Sequence, residues 1–237
     1  MKFMRLLTGV LLWVLVLVVT SLVVSTGVLS EIMERWAWLS AGTVSQFSML
    51  AASLLLILGL SRGRLGDYGF RPATGREVRL ALIYGSAVAV AVHVVLAVVW
   101  RLIPPSSGHP ELAGASFLRI VITVWVIASI CEEIFLRGLV QSFLDPLKEI
   151  GTTVFGIRFS LPVVTGAVLF GAMHIMLLTL GTGGALVGGI VGSAIALGMV
   201  AGYFRERSGS LLPAIVIHML FNIYGSVSHY IQQGLMG

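Results

Sequence analysis

Long apolar runs, each cut off by a cluster of charges or glycines, recur from one end of this sequence to the other. A bilayer crossing needs about 20 mostly apolar residues. Seven runs reach that length: Leu6–Val28, Trp36–Leu60, Leu80–Leu102, Ser116–Leu144, Ser160–Leu180, Gly184–Phe204 and Leu211–Ile231. The connections between them are short, and no repeat, low-complexity tract or hydrophilic domain interrupts the series. The pattern predicts an all-α, polytopic membrane bundle of about seven transmembrane helices, forming one integral-membrane domain over residues 1–237. The first run follows Lys2 and Arg5, as a secretory signal would. Its apolar stretch is longer than a signal core and no small-residue cleavage site follows, so a retained anchor is expected.

Composition agrees with this reading. Of the 237 residues 57% are hydrophobic and 11% charged, against roughly a quarter charged in a soluble domain. Mean hydropathy is +1.02. Together these values exclude a soluble enzyme and a disordered chain. The net charge of +5 would raise nucleic acid as a partner in a soluble protein. Here it is explained by topology, because cytoplasmic loops collect Lys and Arg. With the N-terminus inside, Lys2, Arg5, Arg62, Arg64, Arg71, Arg76, Arg79, Lys148, Arg158, Arg205 and Arg207 are cytoplasmic, eleven of the fifteen basic residues. Arg35, Arg101 and Arg119 fall outside, and Arg137 lies within a span. The C-terminus is then outside, no nucleic acid is implied, and the expected partner is the lipid bilayer. Short loops and compactness suggest a prokaryotic cell membrane. Cys131, the single cysteine, cannot form an intrachain disulfide.

In the sixth span Gly184, Gly188 and Gly192, followed by Ala196, form a small-residue stripe expected to admit a close helix neighbour. The glycine-rich Gly181–Gly189 lacks the Lys-Ser/Thr of a phosphate loop.

An ionisable group inside a span costs at least a few kcal/mol, so each one is a candidate for function. The fourth span holds Glu132, Glu133 and Arg137, the fifth His174, and the seventh His218 and Asn222. Glu133 and Arg137, four apart on one helical face, can pair and lower each other's burial cost. Glu132 points roughly 100° away and is left without that partner. At 1.5 Å per residue Glu132 lies roughly 20 Å from the cytoplasmic end near Asp145, His174 roughly 20 Å from Ser160, and His218 about 10 Å from Leu211. Three helices thus bring polar groups into one half of the bilayer, an arrangement expected of a site inside the bundle.

The stretches Glu132-Glu133-Ile-Phe-Leu-Arg137-Gly138, Phe170-Gly-Ala-Met-His174 and His218-Met-Leu-Phe-Asn222 resemble the ordered EExxxR, FxxxH and HxxxN motifs of the CAAX-protease and bacteriocin-processing family of intramembrane proteases, which includes type II CAAX prenyl endopeptidases. Pro213 also fits, and the motif-bearing core is 115–233, whereas residues 1–115 are similar only in being apolar helices and a basic loop. The resemblance implies an intramembrane endopeptidase in which Glu132 is the general base for water and His174 helps hold that water. It makes His218 and Asn222 the oxyanion donors and gives Glu133 and Arg137 a supporting role. The chemistry agrees: water attack needs a base, and paired donors suit a developing negative charge. The implied substrates are CAAX-type prenylated peptides or bacteriocin-like membrane peptides. Oligomeric state is not legible.

Other protease chemistries lack their residues. No HExxH occurs, Asp67 and Asp145 fall in loops, and no GxSG surrounds an intramembrane serine. Cys131 is read as a small core residue. Glu132, His174 and His218 also form a donor set that a catalytic zinc accepts, with one position left for water. The metal-free reading, without a cofactor, is preferred. His93 is expected to pack between helices, His229 to lie near the outer end of the last span, and His109 in a loop. The alternative function is a non-enzymatic membrane protein: a peptide-toxin immunity factor, a scaffold or a transporter. Neither the Glu132/Glu133 doublet nor the His218/Asn222 pair is required by a carrier, and no inverted repeat supports transport.

Overall fold

The computed structural model describes residues 2–26, 40–106, 112 and 114–236, with side chains to 231. The helices are α1 (Lys2–Ser25), α2 (Ala41–Ser61), α3 (Gly75–Leu102), α4 (the helical run from Phe117 to Leu144), α5 (Leu161–Met173, tightening to 3-10 over His174–Leu180), α6 (Gly184–Ser208) and α7 (Leu211–Met236). Six of them, all but α4, are by length and composition able to cross a membrane. The chain is an integral membrane protein with an all-α bundle. Arg35, His109 and Gly237, the end of the first expected span and the start of the second lie outside the described residues.

The fourth expected span is one helical run but not one α-helix. Its α-helical turn Ser129–Glu133 is flanked by π-helix over Val121–Ala128 and Ile134–Gln141. π-Turns replace i→i+4 bonding by i→i+5 and are frequent at functional sites. In each π stretch a backbone carbonyl takes a side-chain donor: Val124 from Asn222 Nδ2 at 2.9 Å and Arg137 from Ser142 Oγ at 2.9 Å.

Other boundaries shift for local reasons. α3 starts at Gly75 rather than Leu80 because Thr74 and Glu77 form a capping box, each side chain bonded to the other's backbone N–H. Arg76 and Arg79 therefore sit on its first turns. Between α4 and α5 the chain forms a hairpin, β1 (Gly151–Val154) antiparallel to β2 (Ile157–Ser160), where a plain connection was expected. Its two-residue turn has positive φ at Phe155 (49°) and Gly156 (76°), the backbone of a type I′ turn.

The expected glycine stripe is corrected. Gly184, Gly188 and Gly192 have no neighbour near the position of a Cβ. Close approach occurs on another face of α6, where a Cβ on Gly198 would stand 2.6 Å from the Ala167 Cα of α5. The tertiary surface, not the spacing, decides which small residues meet a neighbour.

The densest packing lies on the C-terminal half of α4. Every residue from Cys131 to Gln141 is buried, and Phe135, Leu136, Leu139 and Val140 are wholly so. The loop after α2 closes the same end. Leu211 N–H donates to Gly69 O at 3.0 Å, and Arg205 bridges Asp67 O at 3.1 Å and Ser142 Oγ at 2.9 Å. Gly69, at φ 90°, brings its backbone so near Arg205 and Leu211 that a side chain there would collide with both. At the other end of the bundle a cavity of about 990 Å³ opens among the helices.

Candidate active site

The two adjacent glutamates separate as their helical directions require. Glu133 is fully buried, and its Oε1 accepts from Arg137 Nη1 at 3.0 Å and from His218 Nδ1 at 2.9 Å. The expected Glu133–Arg137 pair is therefore formed. Arg137 is also fully buried, and its guanidinium lies 4.8 Å over the Phe170 ring. Removing two charges from water costs several kcal/mol each, and only mutual attraction and further contacts offset it. The pair, the imidazole and the aromatic face supply part of those contacts, while Glu133 Oε2 and Arg137 Nε and Nη2 have no hydrogen-bond partner among the described residues.

Glu132 instead reaches the cavity. One carboxylate oxygen accepts from Gln46 Nε2 at 2.6 Å, and the other stands 3.6 Å from His218 Nε2. His218 thus lies between the two carboxylates. A carboxylate is an acceptor only, so Nδ1 of His218 carries the proton shared with Glu133 and fixes the ring plane. Glu132 and His218 meet although their sequence depths differ by about 10 Å, because α7 starts deeper than the helical run of α4 ends. Leu211, its first residue, lies level with Gly138, the Leu211 Cδ1 being 3.6 Å from where a Cβ on Gly138 would stand.

His174 sits where α5 passes from α to 3-10 geometry and lines the same cavity. Its Nδ1 stands 2.8 Å from Phe170 O, which can only accept, so Nδ1 is protonated. In the neutral ring Nε2 is then an acceptor. Phe170 is the hub of the site, its ring centre 5.1 Å from that of His174 and 5.3 Å from that of His218. This contact gives the aromatic of the second motif a structural reason.

Asn222, one turn beyond His218 on α7, also lines the cavity. Its amide nitrogen donates to Val124 O at 2.9 Å and to Ser129 Oγ at 3.1 Å, tying α7 to α4. The cavity wall also includes His93 and His229, while Cys131 is packed in the hydrophobic core. His93 bonds through Nδ1 to Ala89 O at 2.7 Å on its own helix.

Gln46 was missed by the sequence reading. It is the only amide or ionisable side chain of α2, so the criterion that singled out Asn222, a polar group inside an apolar span, applied equally to it.

As donors toward zinc, Glu132, His174 and His218 have a suitable outer arrangement, since each imidazole is held through Nδ1 by a carbonyl or carboxylate. They do not converge: among the described residues no group of three His, Cys, Asp or Glu side chains is placed to hold a metal ion. The arrangement sets a carboxylate, an imidazole acceptor and N–H donors around one cavity, groups that can exchange protons with a bound water.

A polytopic helical bundle with a constellation of carboxylate, imidazole and amide side chains inside it is thereby defined. Residues 114–224 match the family model described as type II CAAX prenyl endopeptidase Rce1-like. That is a family of membrane proteases, the one that the three motifs resemble, and the match contains all of them from Glu132 to Asn222. No curated protein and no solved structure matches the chain.

Proposed function

We propose that this protein is an intramembrane endopeptidase that hydrolyses a peptide bond with a glutamate-activated water. The observation that carries the reading is the division between neighbouring carboxylates. Glu133 is spent on Arg137 and His218, whereas Glu132 faces a cavity of about 990 Å³ with one oxygen beside an imidazole. A structural ion pair needs one carboxylate. The second is available for chemistry.

In the proposed reaction Glu132 takes one proton from water while Nε2 of His174 accepts a hydrogen bond from the other O–H, which stays intact, and so aims the lone pair. The resulting hydroxide adds to the scissile carbonyl carbon and the carbonyl electrons move onto oxygen. His218 donates to that oxyanion through Nε2 when both ring nitrogens carry hydrogen, with Nδ1 bonded to Glu133. Asn222 adds a second donor by exchanging its longer bond, to the rotatable Ser129 hydroxyl, for one to the oxyanion. Collapse breaks the C–N bond, and Glu132 returns its proton to the leaving amine. General base catalysis contributes typically 10²–10⁴-fold, and an oxyanion donor a further 10²–10³. No step requires a metal.

The proposed substrates are membrane-resident peptides, with CAAX-type prenylated peptides and bacteriocin-like peptides as the two classes. The experiment is cleavage by purified protein in detergent of a prenylated CAAX peptide and an unmodified membrane peptide, side by side. Cleavage of either, at a defined bond, supports the reading; cleavage of neither contradicts it.

A further inference from the structure

His93 of α3 lines the cavity and takes no part in the reaction proposed above. Its ring is held in place. Nδ1 stands 2.7 Å from Ala89 O, which can only accept, so Nδ1 carries a hydrogen. The ring meets Phe221 of α7 edge to face, with centres 6.1 Å apart. Among the described residues nothing bonds to Nε2, and no carboxylate pairs with the ring to hold a second proton. In the neutral ring Nε2 is therefore an acceptor without a donor. The sequence of α7 keeps that nitrogen open. Gly225, also on the cavity wall, faces it, and a Cβ there would stand 3.0 Å from Nε2. The surrounding wall is otherwise apolar or already bonded: Leu96 and Phe221 have no polar side-chain atom, and the Ser226 hydroxyl is engaged by Trp125 Nε1 and Asn222 O.

An acceptor is of no use to an oxyanion, which accepts too. It answers a donor, and the donors that a peptide carries at almost every residue are its backbone N–H groups. Such a group, taken from water into an apolar cavity without an acceptor, opposes binding. We infer that Nε2 of His93 is the binding site for one backbone N–H of the peptide substrate, and so sets the register in which the chain lies along α7. The inference rests on the protease reading for the nature of the ligand. Gly225 lies seven residues, about 10 Å, beyond His218 on α7. A peptide extended beside that helix therefore brings to His93 an N–H about three residues from the bond that is cut. Gly225 serves the same end by leaving the lone pair uncovered.

The test is binding to detergent-solubilised Glu132→Gln protein, which needs no turnover. The probes are the two peptides of the cleavage assay and analogues of each in which one backbone N–H at a time is replaced by an ester oxygen. The expected result is one position at which the ester weakens binding roughly 10-fold. With His93→Leu added, the all-amide peptide should bind roughly 10-fold more weakly, and the ester at that position should cause no further loss. Gly225→Ala leaves the imidazole in place but covers Nε2, so it should reproduce both results by a separate route, and it decides the matter where His93→Leu does not fold. No sensitive position, or an ester penalty that survives both substitutions, overturns the inference. A merely structural role for His93 would lower melting temperature and leave the ester pattern as in the parent. In cleavage, His93→Leu alone should raise KM with kcat unchanged; a fall in kcat at unchanged KM overturns the binding role. Binding that depends on His93 without cleavage by the parent sinks the protease reading alone, whereas cleavage without that dependence sinks this inference alone.

Discussion

The Nδ1 of His218 stands 2.9 Å from the Oε1 of Glu133, the same oxygen that accepts from Arg137. One buried carboxylate oxygen therefore binds a cation on its own helix and orients an imidazole on another. Removing the Glu133 charge leaves Arg137 uncompensated in an apolar surrounding, and removing Arg137 leaves Glu133 with His218 alone, each breaking a buried pair at a cost of about 3–5 kcal/mol. Glu133→Gln and Arg137→Ala should accordingly lower detergent-solubilised yield and melting temperature. Parent-like stability in both variants would show that the pair does not hold the bundle.

Gln46 should act as a positioning residue. Its amide holds one oxygen of Glu132 at 2.6 Å and so directs the other toward His218 and the cavity. A hydrogen bond to a charged group contributes about 1.5–3 kcal/mol, equivalent to roughly 10–100-fold in rate if it acts on the transition state. Gln46→Leu is expected to lower kcat by about 10-fold or more with KM and melting temperature unchanged. A purely structural role would instead reduce melting temperature and leave kcat intact.

For Asn222 the expectation is a slow enzyme rather than a dead one. Losing one oxyanion donor costs roughly 10²–10³ in rate. Asn222→Ala should fall in that range, with some loss of stability because the ties to Val124 and Ser129 go too. Asn222→Asp should be slower still, since an ionised carboxylate there repels the oxyanion. Single-turnover rates on one peptide decide between these outcomes.

Chelation addresses the metal. Because Glu132, His174 and His218 do not converge, activity should survive a chelator, and elemental analysis of active protein should find no stoichiometric zinc. Activity lost on chelation and restored by added zinc would move the three side chains into ligand roles.

The polar residues that line the cavity were legible because polar groups in apolar spans are expensive and therefore conspicuous. Glu132, His174, His218 and Asn222 were found that way, and the structure brings Glu132 to His218, places Asn222 one turn further along α7, and sets all four on one cavity wall. The Glu133–Arg137 pairing followed from helical spacing alone. Other features depend on contacts that spacing does not encode. The π stretches of α4 are a choice of backbone hydrogen-bond partner with no residue signature of their own. The level of Leu211 beside Gly138 is set by how helices pack in height, so depths counted from helix ends misplaced His218 relative to Glu132. The hairpin did leave a trace, in Thr152, Thr153 and Val154 before Phe155-Gly156 and Ile157 and Phe159 after it, which reads as β-branched and aromatic strands around a tight turn.

The most direct measurement is the single-turnover rate of Glu132→Gln. This substitution keeps the shape of the side chain and can still bond to Gln46, but it cannot take a proton from water. With parent-like melting temperature and peptide binding, cleavage should be abolished. Retained cleavage by folded Glu132→Gln would contradict the glutamate-activated water mechanism.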